Sequence, residues 1–80
     1  MRRRVHLVVH GEVQGISFRS NAARQGRMLG LTGWVQNRKD GTVEAAAEGE
    51  DEQLREFVRW CAHGPLDAKI VSIDTHWEAF

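Results

Sequence analysis

The apolar residues of this chain switch repeatedly between two repeat lengths, and that switching limits the fold more than any other feature. In RVHLVVH (4–10), Val5, Leu7 and Val9 alternate with His6, Val8 and His10, the period of a half-buried strand. From about Ser17, Phe18, Ala22 and Leu29 fall at helical spacing, with Gly30 at the C-cap position. TGWVQN (32–37) returns to a strand pattern, RKDG (38–41) reads as a turn, and TVEAAAE (42–48) is its hairpin partner. A second helix is predicted from about Glu50 to Ala62. There Leu54, Phe57, Val58 and Cys61 form an apolar stripe, and the acidic Glu50, Asp51 and Glu52 complement the dipole of the first turn. KIVSIDTHW (69–77) is a last strand. Its Ile70 and Ile73 are three apart, which breaks strict alternation and predicts a bulge.

The resulting order, βαββαβ, predicts the α+β class. The matching architecture is a ferredoxin-like α/β sandwich, with an antiparallel sheet carrying two helices on one face. A chain of 80 residues buries roughly 60% of the surface its unfolded form exposes, enough for one modest core, so residues 1–80 are read as a single domain. Gly26, mid-helix, is read as a close-packing point. Trp34, Trp60 and Trp77 are expected to pack with a polar edge reaching water.

Charge and cysteine content exclude several functions. Eleven basic and eleven acidic residues cancel, whereas a general nucleic-acid binder carries a basic excess. Arg2, Arg3 and Arg4 are read as a frayed, solvated terminus. Cys61 has no cysteine partner in the chain and sits on an apolar helix face, so it is read as a core thiol. Leu7-Val8-Val9 is too short an apolar run for a signal peptide, and no segment is long enough to span a bilayer. A reducing, cytoplasmic setting fits these features.

The topology also predicts where chemistry would gather. The first two strands should run parallel, with the third between them, so their C-terminal ends share one edge of the sheet. The stretch HGEVQGISFRS (10–20) and Asn37 then meet there. Gly11 and Gly15 permit backbone shapes that aim consecutive N–H groups into one concavity. A helix N-terminus adds its own N–H groups, and Arg19 adds a planar donor fork suited to phosphate. Asn37 offers an amide that can orient a water or a ligand oxygen. Each of these residues alone is more often structural than functional, and their convergence is what favours an anion site.

GEVQGISFR resembles the acylphosphatase signature G-x-V-Q-G-V-x-F-R, and GWVQNRKDGTVE resembles that family's second block, G-W-V-x-N-x-x-D-G-x-V-E. The likeness runs from Val5 to about Ile73. It implies a small cytoplasmic hydrolase of acyl phosphates, with the α/β sandwich fold and no metal or cofactor. It places the family's phosphate-binding arginine on Arg19 and its water-positioning asparagine on Asn37. The backbone cradle falls on Glu12, Val13, Gln14, Gly15, Ile16, Ser17 and Phe18. The expected partner is a small-molecule acyl phosphate, with neither nucleic acid nor membrane involved. The protein is expected to be a monomer, with an edge-strand dimer as the alternative.

The chain departs from the pattern at four places. Ile16 replaces a valine. Glu12 stands where a basic residue is common, and would weaken anion attraction if it faced the cradle. Ser20 and Asn21 replace residues that are often apolar or aromatic. The short final strand of the family is expected to be short or missing, which would leave a sheet edge open. A non-catalytic binding module is the competing reading, because this fold also serves RNA and metal binding. Against it, the first strand offers His6, Val8 and His10 rather than aromatics, and Asp74 and His76 stand alone as metal ligands.

Overall fold

The computed structural model describes residues 1–15, 17–65 and 68–79. Its elements are β1 (Arg2–Glu12), α1 (Phe18–Met28), β2 (Thr32–Asn37), β3 (Val43–Glu50), α2 (Asp51–His63) and β4 (Lys69–Ala79). The four strands form one sheet in the order β2-β3-β1-β4, with every neighbouring pair antiparallel. Two strands that both oppose β3 must be parallel to each other, so β1 and β2 end at the same side of the sheet, as the βαββαβ pattern predicts.

Alternation decides which face is covered. Val5, Leu7 and Val9 of β1 are at most 1% exposed, and with Ala45 and Ala47 of β3 they meet Leu54, Phe57 and Cys61 of α2. Phe18 and Ala22 bring α1 into the same core. The opposite face carries polar pairs: His6 to Glu44 at 2.7 Å, His10 to Asp74 at 2.9 Å, and Arg4 to Glu48 at 2.7 Å. Desolvation pushes the Cys61 thiol up to about 12, so it stays protonated and behaves as a packed apolar group. No helix among the described residues is long and apolar enough to cross a membrane.

The N-terminal arginines differ from their sequence-based reading. They are strand residues, with Arg2, Arg3 and Arg4 opposite Glu50, Gly49 and Glu48. Arg3 bonds Asp51 at 2.9 Å and lies 4.5 Å over the Trp77 ring, while Arg4 also reaches Glu78 at 3.2 Å. The acidic ends of β3 and β4 supply partners that a linear reading of the basic run does not reveal. The tryptophans follow their expected pattern in part. Trp60 packs on Phe18 with ring centroids 5.4 Å apart, whereas Trp34 lies edge-on to His6 at 6.4 Å on the open face and is 43% exposed.

The bulge predicted near Ile70 is present. Pairing runs His10 to Ser72 and then Gly11 to Ile70, leaving Val71 extra and 80% exposed. β4 continues to Ala79, pairing along nearly all of β1, and no strand follows it among the described residues. β2 is therefore an outer strand of the sheet.

Gly26 is not a close-packing point. A methyl group built there meets only the Phe57 ring edge, at 3.8 Å, an ordinary contact. The helix therefore bears the entropic cost of a glycine with no steric return. Gly26→Ala is expected to stabilise the fold by about 0.5–1 kcal/mol. The gain would be read as a higher urea midpoint at unchanged slope, and a lower midpoint would contradict this account.

Candidate active site

The end of β1 turns toward α1 through a loop pinned by its apolar residues. Val13 and Phe18 are each 1% exposed and anchor the two sides of the loop in the core. Between them the backbone takes left-handed values at Gly15 (φ 80) and at Ser17 (φ 64). A left-handed conformation at a non-glycine residue costs about 1–2 kcal/mol, and the exposed Ser17 adopts it between the buried anchors Val13 and Phe18.

That conformation matters for the helix end. Ser17 occupies the N-cap of α1 but makes no side-chain capping bond, and the first turn holds no acidic residue. An N-cap serine normally takes an extended conformation and accepts from the second or third helical N–H. Here those N–H groups have neither an intrahelical acceptor nor a side-chain cap, and the positive end of the dipole is uncompensated. Arg19 stands on that same first turn, and its side chain makes no hydrogen bond or ion pair to the described residues. Two sources of positive potential are thus left exposed side by side.

Asn37, the last residue of β2, comes to the same place from across the sheet. Val13, Gly15, Ser17, Phe18, Arg19, Ser20 and Asn37 line one open, largely polar cavity of about 300 Å³. Ser20 is a lining residue that the sequence reading does not include among the site residues. The signal was available, because it follows Arg19 on the uncapped turn.

The remaining cradle residues divide. Glu12 does not line the cavity. It is solvent-exposed and lies 3.7 Å from Lys69 on β4, so its carboxylate is directed to the neighbouring strand. Gln14 turns its side chain away from the cavity to the β2–β3 turn. Ile16 lies outside the described residues. His10, beside the loop in sequence, points to Asp74 on the open face. Among the described residues no three histidine, cysteine or acidic side chains converge on a point suited to a metal ion.

The acylphosphatase family profile matches residues 5–79. A curated acylphosphatase of an Anaeromyxobacter species is 48% identical over 77 residues, covering 96% of this chain and 83% of that protein. One from Pelotomaculum thermopropionicum is 46% identical over 79 residues, covering 99% and 86%. Among solved structures, the crystal structure of acylphosphatase from Bacillus subtilis superposes with a TM-score of 0.91 at 35% identity, covering 98% of this chain and 86% of that one. With the profile spanning nearly the whole sequence and the fold shared, this chain belongs to the acylphosphatase family.

Proposed function

We propose that this protein hydrolyses the carboxyl-phosphate bond of acyl phosphates, releasing a carboxylate and inorganic phosphate. The observation that carries the proposal is the meeting of an uncapped helix N-terminus, Arg19 and Asn37 around one polar cavity in a member of this family. The loop N–H groups and the Arg19 guanidinium hold the equatorial phosphoryl oxygens. Asn37 holds a water in line with the bond to be broken. The oxygen of that water bonds to phosphorus as the phosphorus–acyl-oxygen bond breaks, and the electron pair departs with the carboxylate.

Such a site needs few parts. The leaving group is the conjugate base of an acid of pKa about 4, so it departs without a proton from the enzyme. The transition state spreads charge over the phosphoryl oxygens, and positioning with electrostatic stabilisation supplies the catalysis. A phosphoryl oxygen of the substrate takes the proton of the attacking water, so no side-chain base is required. Positive charge comes from the guanidinium and the backbone, without a metal. All the groups named lie within residues 1–80, which act as one unit, and a monomer suffices for the reaction. A buried, protonated Cys61 and the absence of any other cysteine accord with a cytoplasmic setting.

The test is direct. Purified protein is expected to hydrolyse benzoyl phosphate well above the uncatalysed rate, followed by loss of its ultraviolet absorbance. A rate equal to that of buffer would refute the proposal.

A further inference from the structure

We propose that the Gln14 side chain is a positioning residue that sets the distance between the phosphate cradle and Asn37. The inference rests on the reading of the site given above and assigns a task to a group that touches neither substrate nor water.

Gln14 sits in the middle of the cradle loop, between Val13 and Gly15, which both line the cavity. Its side chain instead crosses to the β2–β3 turn, where Nε2 donates to the Arg38 carbonyl at 2.7 Å and to the Thr42 carbonyl at 2.8 Å. A primary amide has two N–H donors, and both are used. Each carbonyl already holds one backbone bond, from Gly41 N at 3.2 Å to Arg38 and from Arg38 N at 2.9 Å to Thr42. A carbonyl oxygen has two acceptor positions, so Gln14 completes both. Among the described residues, no other side-chain hydrogen bond joins this loop to the hairpin.

The position of the clamp is what gives it a catalytic consequence. Arg38 directly follows Asn37, and Thr42 directly precedes Val43, the cross-strand partner of Asn37. The turn is stiffened from within by Asp40, which accepts from the Thr42 amide at 3.0 Å and from its hydroxyl at 2.6 Å. Gln14 therefore grips a rigid turn at the two points flanking the pair that holds Asn37. The phosphoryl group is bound on one side of this clamp and the water on the other. A misplacement of about 1 Å between reacting groups can cost on the order of 10²-fold in rate.

The experiment compares wild type with Gln14→Glu and Gln14→Met in benzoyl phosphate hydrolysis, alongside inhibition by inorganic phosphate. Glutamate keeps the shape but turns two donors into an anion facing two carbonyls. Methionine keeps the length and removes the donors. We expect kcat to fall about 10- to 100-fold in Gln14→Glu and less in Gln14→Met, with the phosphate inhibition constant within about threefold of wild type. The deficit of Gln14→Glu should shrink as pH falls through the titration of the new carboxyl, which the two facing carbonyl oxygens raise above the usual value of about 4.3, because a protonated carboxyl regains one donor. If Gln14→Glu fails to fold, Gln14→Met carries the same comparison. Variants with unchanged kcat, or with turnover and phosphate affinity lost in proportion, would overturn the clamp while leaving the hydrolase reading intact. A wild-type protein without turnover would overturn that reading, and the clamp's catalytic role with it.

Discussion

Asn37→Ala is expected to lower kcat about 10²–10³-fold while KM and phosphate inhibition stay near wild type, whereas Arg19→Ala should damage binding and turnover together. The two residues line the same cavity, and the proposed mechanism gives them different parts of the reaction. In the proposed mechanism Asn37 holds the nucleophile, which contributes little to substrate affinity in the ground state and much to the barrier. An interaction made mainly at the transition state appears in kcat. In that mechanism Arg19 would face charge present on the phosphoryl group before, during and after the reaction, so its loss is expected to raise KM as well. Arg19→Lys separates charge from shape: an ammonium restores attraction but not the planar fork, so it should recover affinity more than turnover. Steady-state kinetics with phosphate inhibition on all three variants decides the matter. An Asn37→Ala enzyme with wild-type kcat would remove the asparagine from the mechanism.

Much of the fold, and the gathering of the candidate residues at one sheet edge, is legible in the sequence, because the rules that reveal it are local or topological. Alternation in 4–10 and the stripe Leu54, Phe57, Val58, Cys61 identify elements by period alone. Once the order is βαββαβ, right-handed connection forces the ends of β1 and β2 together, and Asn37 with them. Side-chain direction in irregular backbone was harder to read. Glu12 could have faced the cradle or solvent, and the β1–β4 register decides it by setting Glu12 opposite Lys69. The sequence offers Gln14 only as a backbone contributor, yet its side-chain amide finds two carbonyls 24 and 28 residues away. Local rules see no further than the next turn, and long polar side chains reach further. Arg3 and Arg4 show the same limit, since their acidic partners lie on α2, β3 and β4.

Gly11→Ala should be the most damaging single-methyl change near the site, costing about 3–5 kcal/mol, against about 1–2 kcal/mol for Gly15→Ala. Both glycines have positive φ, 136 at Gly11 and 80 at Gly15, but their surroundings differ. A methyl group at Gly15 meets nothing within 4 Å, so only backbone strain is charged. At Gly11 it would fall well inside van der Waals contact with the Lys69 carbonyl oxygen and stand 2.9 Å from the Val71 nitrogen. Those atoms are backbone and cannot rotate away. They belong to the bulge where β4 gains its extra residue opposite the end of β1, so relief requires the two strands to part or the bulge to slip. A slip by one residue would turn Ile70 from the core face to the open one. For a chain of this length total stability is about 4–12 kcal/mol, so the substitution removes a large share of it. Urea unfolding of the two variants measures the difference directly. A Gly11→Ala protein at least as stable as Gly15→Ala would mean that the bulge yields, and that the cradle does not depend on its close approach.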